Sequence, residues 1–297
     1  MRYRIERSSV TRFDARVREH HVQLRIAPWD GDLQRVTRCT FEVEPAVEVA
    51  DHLDGFGNRV LRFAVIAPHE RLVTRLSAEV ETLLRNPFDF EAVAPAREAD
   101  WLAHSLHQAP RLWDFVLHRS SLTPRLPERL ADDALPAFRP GEALLPQVQG
   151  LLDWIGERYE ADPRADPQAR PLARLLEERC GCPADLAHLL LSLLRGWGIP
   201  ARFAQGYLDP GWFAPDEGAE GADAEPLPQR LQPWVEVLIP GAGWRGFDPT
   251  HGVLADETYV RVAVGRSSAD VRAERSTYKG EVGEEAARVE VRVTRIP

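Results

Sequence analysis

Two cysteines and a histidine that lie close together in the sequence are the first residues whose types suggest chemistry. Cys180 and Cys182 are separated by one residue, and His188 follows six positions after Cys182. Thiolate sulfur and imidazole nitrogen are common zinc ligands, so these three side chains would supply part of a zinc site. His104 and His107 also have ligand spacing, but neither group has a partner cluster in the sequence. The pattern therefore predicts no metal centre.

A nucleophile and a base could also be drawn from Cys182 and His188. The segment Ala184–Arg195 is apolar on most of its circumference and predicts a buried helix. Cys182 precedes this segment, and His188 lies within it. Pro183 suits the first turn of that helix, where its missing N–H costs nothing. Six helical residues rise by about 9 Å, so the thiol and the imidazole are expected to lie too far apart to react together. We therefore interpret His188 as a core residue.

The elements around this helix predict a chain of two parts and an α+β fold. The first ninety residues contain four segments that alternate between apolar and polar residues, as half-buried antiparallel strands do. These segments are Val22–Ile26, Thr40–Glu44, Val60–Val65 and Ser77–Thr82. The glycines and the asparagine in the run 54–58 predict a turn between two of them. Residues 1–90 are thus expected to form an antiparallel β-sandwich domain.

Helical spacing replaces the alternation after residue 90. Residues 91–145 are expected to form a connector of helices and loops, and residues 146–297 a core of helices packed on an antiparallel sheet. The predicted elements of this second part are helices over Leu144–Tyr159 and Ala184–Arg195, and strands over Ala201–Tyr207, Trp234–Ile239, Trp244–Asp248 and Val289–Thr294. The acidic segment Asp209–Gln232 has no apolar face to bury, and we expect it to be the most mobile part of the core.

Composition and charge narrow the class of protein. The chain has 297 residues, 44% of them hydrophobic and 28% charged, which is typical of a globular protein and excludes global disorder. Its formal net charge of −9 argues against a protein that holds nucleic acid or an anionic membrane by charge. Three cysteines are too few for a disulfide framework, and no apolar run reaches the ~18 residues of a membrane span. With an N-terminal segment that lacks the apolar stretch of a secretory signal, these features predict a cytoplasmic protein.

Short segments along nearly the whole chain resemble the bacterial transglutaminase-like proteins of the papain-like thiol superfamily. The N-terminal segments are similar to the β-domain that commonly precedes the core in this family, and the later ones to its nucleophile helix, its paired strands and its C-terminal segment. They are, in order, Leu24–Pro28, Asp54–Asn58, Pro68–Leu72, Asp185–His188, Arg195–Arg202, Gly206–Tyr207, Trp234–Val237, Gly243–Thr250, Ala263–Arg266 and Asp270–Val271. The resemblance implies a papain-like core after an N-terminal β-domain.

The resemblance also implies a Cys-His-Asp catalytic triad. In this family a cysteine at the N-terminus of the buried helix is the nucleophile, and the helix dipole favours its thiolate. A histidine on the neighbouring strand takes the thiol proton and later delivers it to the leaving group, while an aspartate on the next strand orients the imidazole. The product is an acyl-enzyme that water or an amine resolves. No cofactor is implied.

This sequence departs from that pattern at two of the three positions. The family motif is Gly-x-Cys-x-Asp-x-Ala-His, and aligning it on Gly181 and Asp185 puts Pro183 in the cysteine position. The histidine position, two residues before the tryptophan of the Trp-Val-Glu strand, is Gln232, and only the aspartate position keeps its residue type, as Asp248. Proline has no nucleophile, and glutamine cannot carry a proton as a general base. We therefore predict an inactive protein with vestigial triad positions, in which the Gln232 amide bonds to Asp248.

The expected role is that of a peptide- or protein-binding or scaffolding subunit in a bacterial peptide-modifying system. The resemblance implies a class of partner through gene neighbourhood. In bacterial genomes, members of this family are often encoded near ATP-grasp-type ligases and helical alpha-E proteins. Trp234 and Trp244 flank the altered triad and are candidates for the lining of the cleft. No nucleic acid or membrane partner is expected.

A second hypothesis keeps the protein an enzyme. If the helix began one residue earlier, Cys182 would be the nucleophile, and His251, just after Asp248, would be the best-placed base. The protein would then be a cysteine-dependent peptidase, amidase or acyl transferase with an altered site. One residue rotates a helical side chain by about 100°, so the Cys182 sulfur is expected to point elsewhere unless the loop compensates. The reactivity of Cys182 distinguishes the two hypotheses.

Overall fold

The N-terminal part of the chain is an antiparallel β-structure. The computed structural model describes residues 1–126, 135–162, 164–165, 168–213, 229–282 and 285–297. Its first strands are β1 (Arg2–Leu24), β2 (Gln34–Glu44), β3 (Ala50–Leu53), β4 (Arg59–Val65) and β5 (His69–Thr82), in the spatial order β2-β5-β1-β4-β3. The four predicted strands overlap β1, β2, β4 and β5, and the expected turn joins β3 to β4. The predicted antiparallel β-domain is confirmed.

Strand β1 bends this sheet into a half-barrel. Its first half pairs with β5 and its second half with β4, and the register with β5 shifts between Arg12 and Val17. An irregularity of this kind bends a strand and increases its twist. The apolar residues of the second half then pack with those of β4 and β5 in a small core that includes Leu24, Phe63 and Leu76. The two packed β-layers expected of a sandwich are therefore made by one curved sheet.

The helices lie between this sheet and a second one along the chain. Helix α1 (Pro95–Gln108) and the 3-10 helix Pro110–Phe115 occupy the connector, and α2 (Leu144–Arg158) matches the predicted helix. β6 (Glu160–Ala161), α3 (Leu172–Glu178) and β7 (Cys180–Gly181) follow, and the parallel pair β6–β7 leads into α4 (Pro183–Gly196). The start of α4 is thereby anchored to the end of α2.

Helix α4 is the buried helix that the apolar segment predicts. Every residue from Pro183 to Arg195 is buried. Cys182 is the N-cap, with an extended backbone (φ −71°, ψ 160°), and the Asp185 carboxylate accepts a hydrogen bond from its N–H at 3.2 Å. Gly198 has a left-handed φ of 74°, which lets the chain turn after the helix. Each fully buried leucine of α4 contributes roughly 1.5–3 kcal/mol to stability, so packing holds the helix in place.

The second sheet carries α4 on one face. β8 (Ala201–Leu208), β9 (Gln232–Ile239) and β10 (Gly243–Asp248) correspond to three predicted strands. With β11 (Val253–Leu254) and β12 (Tyr259–Gly265) they form an antiparallel sheet in the order β11-β10-β9-β8-β12. Helix α4 packs against β8 and β9. The predicted core of helices on an antiparallel sheet is confirmed.

The C-terminal end of the chain joins the first sheet. β13 (Glu274–Lys279) pairs antiparallel with the second half of β1, and β14 (Glu285–Arg295) pairs antiparallel with its first half, from Tyr3 to Phe13. The sequence analysis grouped both segments with the core at 146–297, but their hydrogen-bonding partner is β1. A period-two pattern predicts a strand and does not select its partner, which here lies at the opposite end of the chain.

Two buried side-chain amides connect the N-terminal sheet to the edge of the core sheet. Gln34 donates to the carbonyl of Arg261 and accepts from its N–H, both at 2.8 Å. Asn58 makes the same pair of bonds with Val264, both at 2.7 Å. Both partners lie in β12, so the amides satisfy backbone groups of an outer strand that would otherwise lack partners. These contacts fix how the two parts of the molecule face each other.

Residues 214–228, within the segment predicted to be mobile, lie outside the described residues, as do residues 127–134 of the connector. The mobility of that segment therefore stays a prediction. Among the helices that the structure describes, none combines the length and the apolar character needed to cross a membrane.

Candidate functional site

Cys182 and Pro183 stand next to each other at the start of α4 but face different parts of the molecule. Cys182 is 1% exposed, and its side chain belongs to the main hydrophobic core. Pro183 lines a groove of about 810 Å³, together with Leu231 and Pro233. Cys182 is the extended N-cap residue and Pro183 is the first residue of the helix, and this change of backbone conformation separates the directions of the two side chains. The chain thus presents a ring without a nucleophile to the groove and keeps the thiol in the core.

The surroundings of Cys182 keep its sulfur protonated. Burial, followed by the charge of Asp185, raises the pKa of the Cys182 thiol to about 11, although the backbone N–H groups of Asp185 and Ala184 act in the opposite direction. At pH 7 only about one molecule in ten thousand would carry the thiolate. Reactive cysteines instead have pKa values of about 3.5–7.5, lowered by helix N-termini or nearby cations. At this helix start, burial outweighs the helix dipole.

A network around Asp185 fixes the segment that leads into α4. Its carboxylate accepts hydrogen bonds from the backbone N–H of Cys182 at 3.2 Å, from the backbone N–H of Arg170 at 2.8 Å, and from Nε of Arg170 at 3.2 Å. Arg170 also donates to Glu178 at 2.8 Å and to the carbonyl of Cys180 at 2.9 Å. The buried carboxylate of Asp185 therefore orders the helix start, and the same charge disfavours a thiolate beside it.

Gln232 and Asp248 meet across neighbouring strands. Gln232 opens β9 and Asp248 ends β10, and Nε2 of Gln232 donates to Oδ2 of Asp248 at 3.2 Å. Both side chains are buried. The amide–carboxylate contact expected from the sequence is present. The groove beside Pro183 is lined by Leu231 and Pro233, the two neighbours of Gln232, so the Gln232 side chain lies behind the groove wall.

Three further donors complete the surroundings of the Asp248 carboxylate. The backbone N–H of Thr250 donates to Oδ1 at 2.8 Å, the hydroxyl of Tyr259 to Oδ2 at 3.0 Å, and Nδ1 of His251 to Oδ2 at 2.8 Å. Burial, and then the charge of Asp248, raises the pKa of Tyr259, so its hydroxyl stays a donor. A buried charge without partners costs several kcal/mol. The carboxylate is therefore satisfied although Gln232 replaces an imidazole.

His251 makes the contact with Asp248 that the enzyme hypothesis requires, but Cys182 is not its partner. Its imidazole lies 4.7 Å from the ring of Trp212, between centroids, and faces a second cavity of about 620 Å³ that Tyr159 also lines. Within the part of the chain that the structure describes, no imidazole nitrogen is hydrogen-bonded to the Cys182 sulfur. The structure thus contains a His-Asp pair, and among the described residues that pair has no hydrogen bond to the thiol.

The two tryptophans expected to line the cleft lie elsewhere. Trp234 is 2% exposed and packs in a separate apolar cluster, with its ring 5.3 Å from that of Tyr259 and nearly perpendicular to it. Trp244 lies against Phe115, at 5.6 Å between centroids, and under the guanidinium of Arg202, at 4.1 Å. Among the described residues that border the groove, neither tryptophan is present. Alternation along β9 turns Trp234 away from the face that carries α4.

His188 is a core residue, as its position in the helix predicts. Burial, assisted by the charge of Arg195, lowers its pKa to about 3, and its Nε2 accepts a hydrogen bond from the N–H of Ser268 at 3.1 Å. The imidazole is therefore neutral and structural. In the described ranges no three His, Cys, Asp or Glu side chains form a group that could hold a metal ion, and Cys180 and Cys182 are free thiols.

The groove beside Pro183 is the feature that sequence reasoning missed. Its walls come from both parts of the chain, because Arg7 lies in β1, Phe203 in β8, and Val289 and Val291 in β14. The C-terminal strands pair with β1 in the first sheet, and this pairing brings these residues together. No local sequence pattern marks such a surface, since its residues are far apart in the chain.

Two family models match the chain in the order of its two parts. Residues 3–81 match the bacterial transglutaminase-like N-terminal region. Residues 136–249 match the transglutaminase-like superfamily. The second match spans α2, α4 and the strands β8 to β10, and so includes Pro183, Gln232 and Asp248.

Relatives match over most of their lengths. Uncharacterized protein ML0607 of Mycobacterium leprae is 26% identical over 281 residues, which cover 92% of this chain and 91% of that protein. Uncharacterized protein Rv2569c of Mycobacterium tuberculosis is 25% identical over 277 residues, which cover 91% and 85%. A crystal structure from Cytophaga hutchinsonii, described as a candidate cysteine protease, superimposes with a TM-score of 0.70 at 18% identity, covering 99% of this chain and 90% of that one. At that identity the likeness shows a shared fold.

The superposition on the Cytophaga hutchinsonii structure covers both parts of this chain, so the two proteins share one overall fold. The matched segments follow the same order as the two parts of the structure. Residues 136–249 therefore belong to the transglutaminase-like superfamily, and residues 3–81 to the N-terminal region of its bacterial members.

Proposed function

We propose that this protein is a catalytically inactive member of its superfamily and that it binds a peptide or a protein segment. One observation carries the proposal: Pro183 faces the groove, whereas the Cys182 thiol lies in the core with a pKa raised to about 11 by burial and the charge of Asp185. Covalent acyl transfer needs a thiolate that meets its substrate. At the start of α4 the Cys182 sulfur is a protonated thiol at neutral pH, and it does not line the groove where a substrate would lie.

The strand side of the site supports the same proposal. Gln232 stands in the position of the general base, and its amide cannot take up and release a proton near neutral pH. The members of a catalytic triad act as a unit, and removing one lowers the rate by about four to six orders of magnitude. With two positions altered, binding is the activity that the remaining architecture supports best.

The groove has the size and the lining of a binding site. Its volume of about 810 Å³ lies within the range of roughly 300–1,000 Å³ that is usual for ligand sites. Its lining includes apolar side chains such as Phe203 and Val291 and polar ones such as Gln205 and Ser268. A short peptide offers both kinds of group. From the family resemblance we propose that the protein works in a cytoplasmic peptide-modifying system, with an ATP-grasp-type ligase or an alpha-E protein as the partner class.

Thiol labelling at graded pH tests the loss of catalysis. In a chain with Cys39→Ser and Cys180→Ser, we expect the native protein to resist a thiol-reactive probe at pH 7 and to react faster as the pH approaches 11. The same chain in denaturant should be labelled at once, which controls for the probe. Rapid labelling of native Cys182 at neutral pH would contradict the proposal, as would acyl turnover that Cys182→Ala abolishes.

Restoring the family residues provides the converse test. The double variant Pro183→Cys with Gln232→His puts a thiol on the groove wall and an imidazole beside Asp248. We expect the new thiol to react with the probe in the native state at neutral pH, in a background that carries Cys182→Ala. A variant that stays unreactive while the wild-type chain turns over an acyl substrate would show that the alignment of the triad is shifted by one residue.

The hydrogen bond between His251 and Asp248 favours a second candidate function, a Cys182-dependent peptidase, amidase or acyl transferase. Such a reaction requires the start of α4 to rearrange until the sulfur reaches the imidazole. Acyl turnover that is lost in both Cys182→Ser and His251→Ala would establish this candidate. Turnover that is absent from the wild-type chain leaves the His251–Asp248 pair with a structural role.

A further inference from the structure

Arg7 is a buried cation with an unmet hydrogen-bonding group on the wall of the groove. It lies in the first half of β1, opposite Leu76 in β5 and Val291 in β14. It is 6% exposed, its Nη1 has no hydrogen-bond partner among the described residues, and it is among the residues that line the groove. Buried guanidinium groups are normally paired, because an unpaired buried charge costs several kcal/mol. The side chain is therefore poised for an anion that the described part of the chain does not supply.

Glu274 is the groove's acidic residue, and it does not pair with Arg7. In the described part of the chain the two side chains form no ion pair within 4.0 Å, although the Arg7 charge acts on the Glu274 carboxyl. Burial is the larger influence and raises the pKa of Glu274, while Arg7 works against it. Glu274 is therefore not the ion-pair partner of the Arg7 guanidinium.

The charge of the groove is opposite to that of the whole protein. Its described charged residues are Arg7, Arg230 and Arg272 against Glu274, whereas the chain has a formal net charge of −9. Gln229 uses its side-chain oxygen to accept from the N–H of Val293 at 2.6 Å, and its amide nitrogen has no partner among the described residues. The groove therefore offers donors and positive charge, which favour an anionic occupant.

We propose that the groove binds a peptide through a carboxylate group that pairs with Arg7. This inference rests on the peptide-binding function proposed above and names the chemical group that is recognised. The fork of an arginine matches the two oxygens of a carboxylate, and such charge-assisted pairs are stronger than neutral hydrogen bonds. The apolar wall formed by Phe203, Val289 and Val291 takes up neighbouring apolar side chains, which a small inorganic anion would leave uncovered. A carboxyl side chain and a C-terminal carboxylate supply the same chemistry.

Calorimetry with three synthetic peptides tests the inference and separates the two sources of the carboxylate. All three are N-acetylated pentapeptides with alanine and valine around a central residue. The first has a central glutamate and an amidated C-terminus, the second a central glutamine and a free C-terminus, and the third a central glutamine and an amidated C-terminus. We expect the first or the second to bind at least about tenfold more tightly than the third, since a hydrogen bond to a charged group contributes about 1.5–3 kcal/mol.

Substitutions at Arg7 assign the effect to that side chain. Arg7→Met keeps an unbranched apolar stem and removes the guanidinium and its charge, and it should abolish the advantage of the carboxylate peptides. Arg7→Lys keeps the charge without the fork and should retain part of the advantage. Arg12→Met, at an exposed position of the same strand, is the matched control and should bind as the wild type does. Without peptide, Arg7→Met should melt no lower than the wild type, because it removes an unpaired buried charge.

The outcomes separate failure of this inference from failure of the proposed function. If all three peptides bind equally and Arg7→Met changes nothing, the carboxylate inference is wrong and peptide binding stands. If no peptide binds at millimolar concentration, both are wrong. Inorganic phosphate that binds through Arg7 while the peptides do not would also overturn both. A large fall in the melting temperature of Arg7→Met without peptide would make Arg7 a structural residue and overturn the inference.

Discussion

The strand side and the helix side of the candidate site, around Asp248 and around Cys182, are stabilised by different interactions. On the strand side, the buried Asp248 carboxylate is surrounded by donors from Gln232, Thr250, His251 and Tyr259. On the helix side, the Cys182 thiol is stabilised in its neutral form, because burial and a nearby carboxylate raise its pKa to about 11. The strand side is an ionic network in which the Asp248 carboxylate needs its donors. The helix side is an apolar contact around the Cys182 thiol.

This difference shows which parts of a catalytic architecture the fold itself requires. A buried carboxylate needs donors whether or not chemistry occurs, and a glutamine amide serves as well as an imidazole. A helix start tolerates proline at its first position, so the helix forms without a nucleophile there. Stability therefore accounts for the strand network, and nothing in the folding of α4 demands a reactive sulfur in the groove.

The largest loss of stability is expected when the Asp248 carboxylate on the strand side is removed. Asp248→Ala leaves two buried and two partly buried donors without their acceptor, and we expect a loss of about 3–5 kcal/mol in the free energy of unfolding, measured by urea denaturation. Asp153→Ala, at an exposed position of α2, is the control and should stay within about 0.5 kcal/mol of the wild type. A loss below about 1 kcal/mol would show that the network does not hold the strands together.

The helix side should respond to pH through His188. Burial, with Arg195 nearby, lowers its folded-state pKa from 6.5 to about 3, so between these values the unfolded chain binds a proton that the folded chain does not. Stability is then complete above about pH 6.5 and falls toward pH 3 by up to about 1.4 kcal/mol per pH unit. His20, whose pKa burial and the nearby His69 lower to about 4, adds to the same loss.

The variant His188→Gln separates these contributions. It should reduce the slope of unfolding free energy against pH between 6 and 4, whatever its stability at neutral pH. Chemical denaturation at several pH values measures the slope. His104→Gln alters an exposed imidazole of α1 and should leave the slope as it is. An unchanged slope in His188→Gln would mean that the buried imidazole is already protonated in the folded chain.

Asp185 connects stability and thiol chemistry at the start of α4. Asp185→Ala removes the acceptor for the N–H of Cys182, and we expect a loss of about 0.5–2 kcal/mol, as for other helix caps. It should also lower the pKa of the Cys182 thiol, because the Asp185 charge is the second cause of its rise. The pH dependence of labelling measures this shift, and Glu177→Ala, exposed on α3, is the control. A thiol pKa that does not fall would leave burial as the whole cause.

The smallest effect on stability is expected when one donor to Asp248 is exchanged for another. Gln232→His places an imidazole beside Asp248 and should change the free energy of unfolding by less than about 1 kcal/mol, because one donor replaces another. It should produce no acyl turnover while Pro183 faces the groove. Gln232→Leu, which removes the donor, should lose about 0.5–1.5 kcal/mol and serves as the comparison. Turnover by Gln232→His alone would show that Cys182 reaches the site.

Local patterns predicted the elements that carry the site. The apolar circumference of 184–195 indicated α4, and the segments 201–207, 234–239 and 244–248 were predicted as the strands that are β8, β9 and β10 in the structure. The family resemblance added the spacing that sets Gln232 against Asp248, and that contact is present at 3.2 Å. These features depend on neighbours in sequence or on one pair of adjacent strands.

Tertiary structure alone decided the properties that depend on distant segments. The partner of β14 is β1, the groove joins Arg7 to Val291, and Trp234 and Trp244 pack away from that groove. The pKa of Cys182 also belongs here, since the helix dipole is readable from its position at a helix start but burial is not. The sequence by itself determined that α4 and the strands β8, β9 and β10 form. Only the fold determined which residues at the start of α4 line the groove, and so why Pro183 meets the groove while the neighbouring sulfur does not.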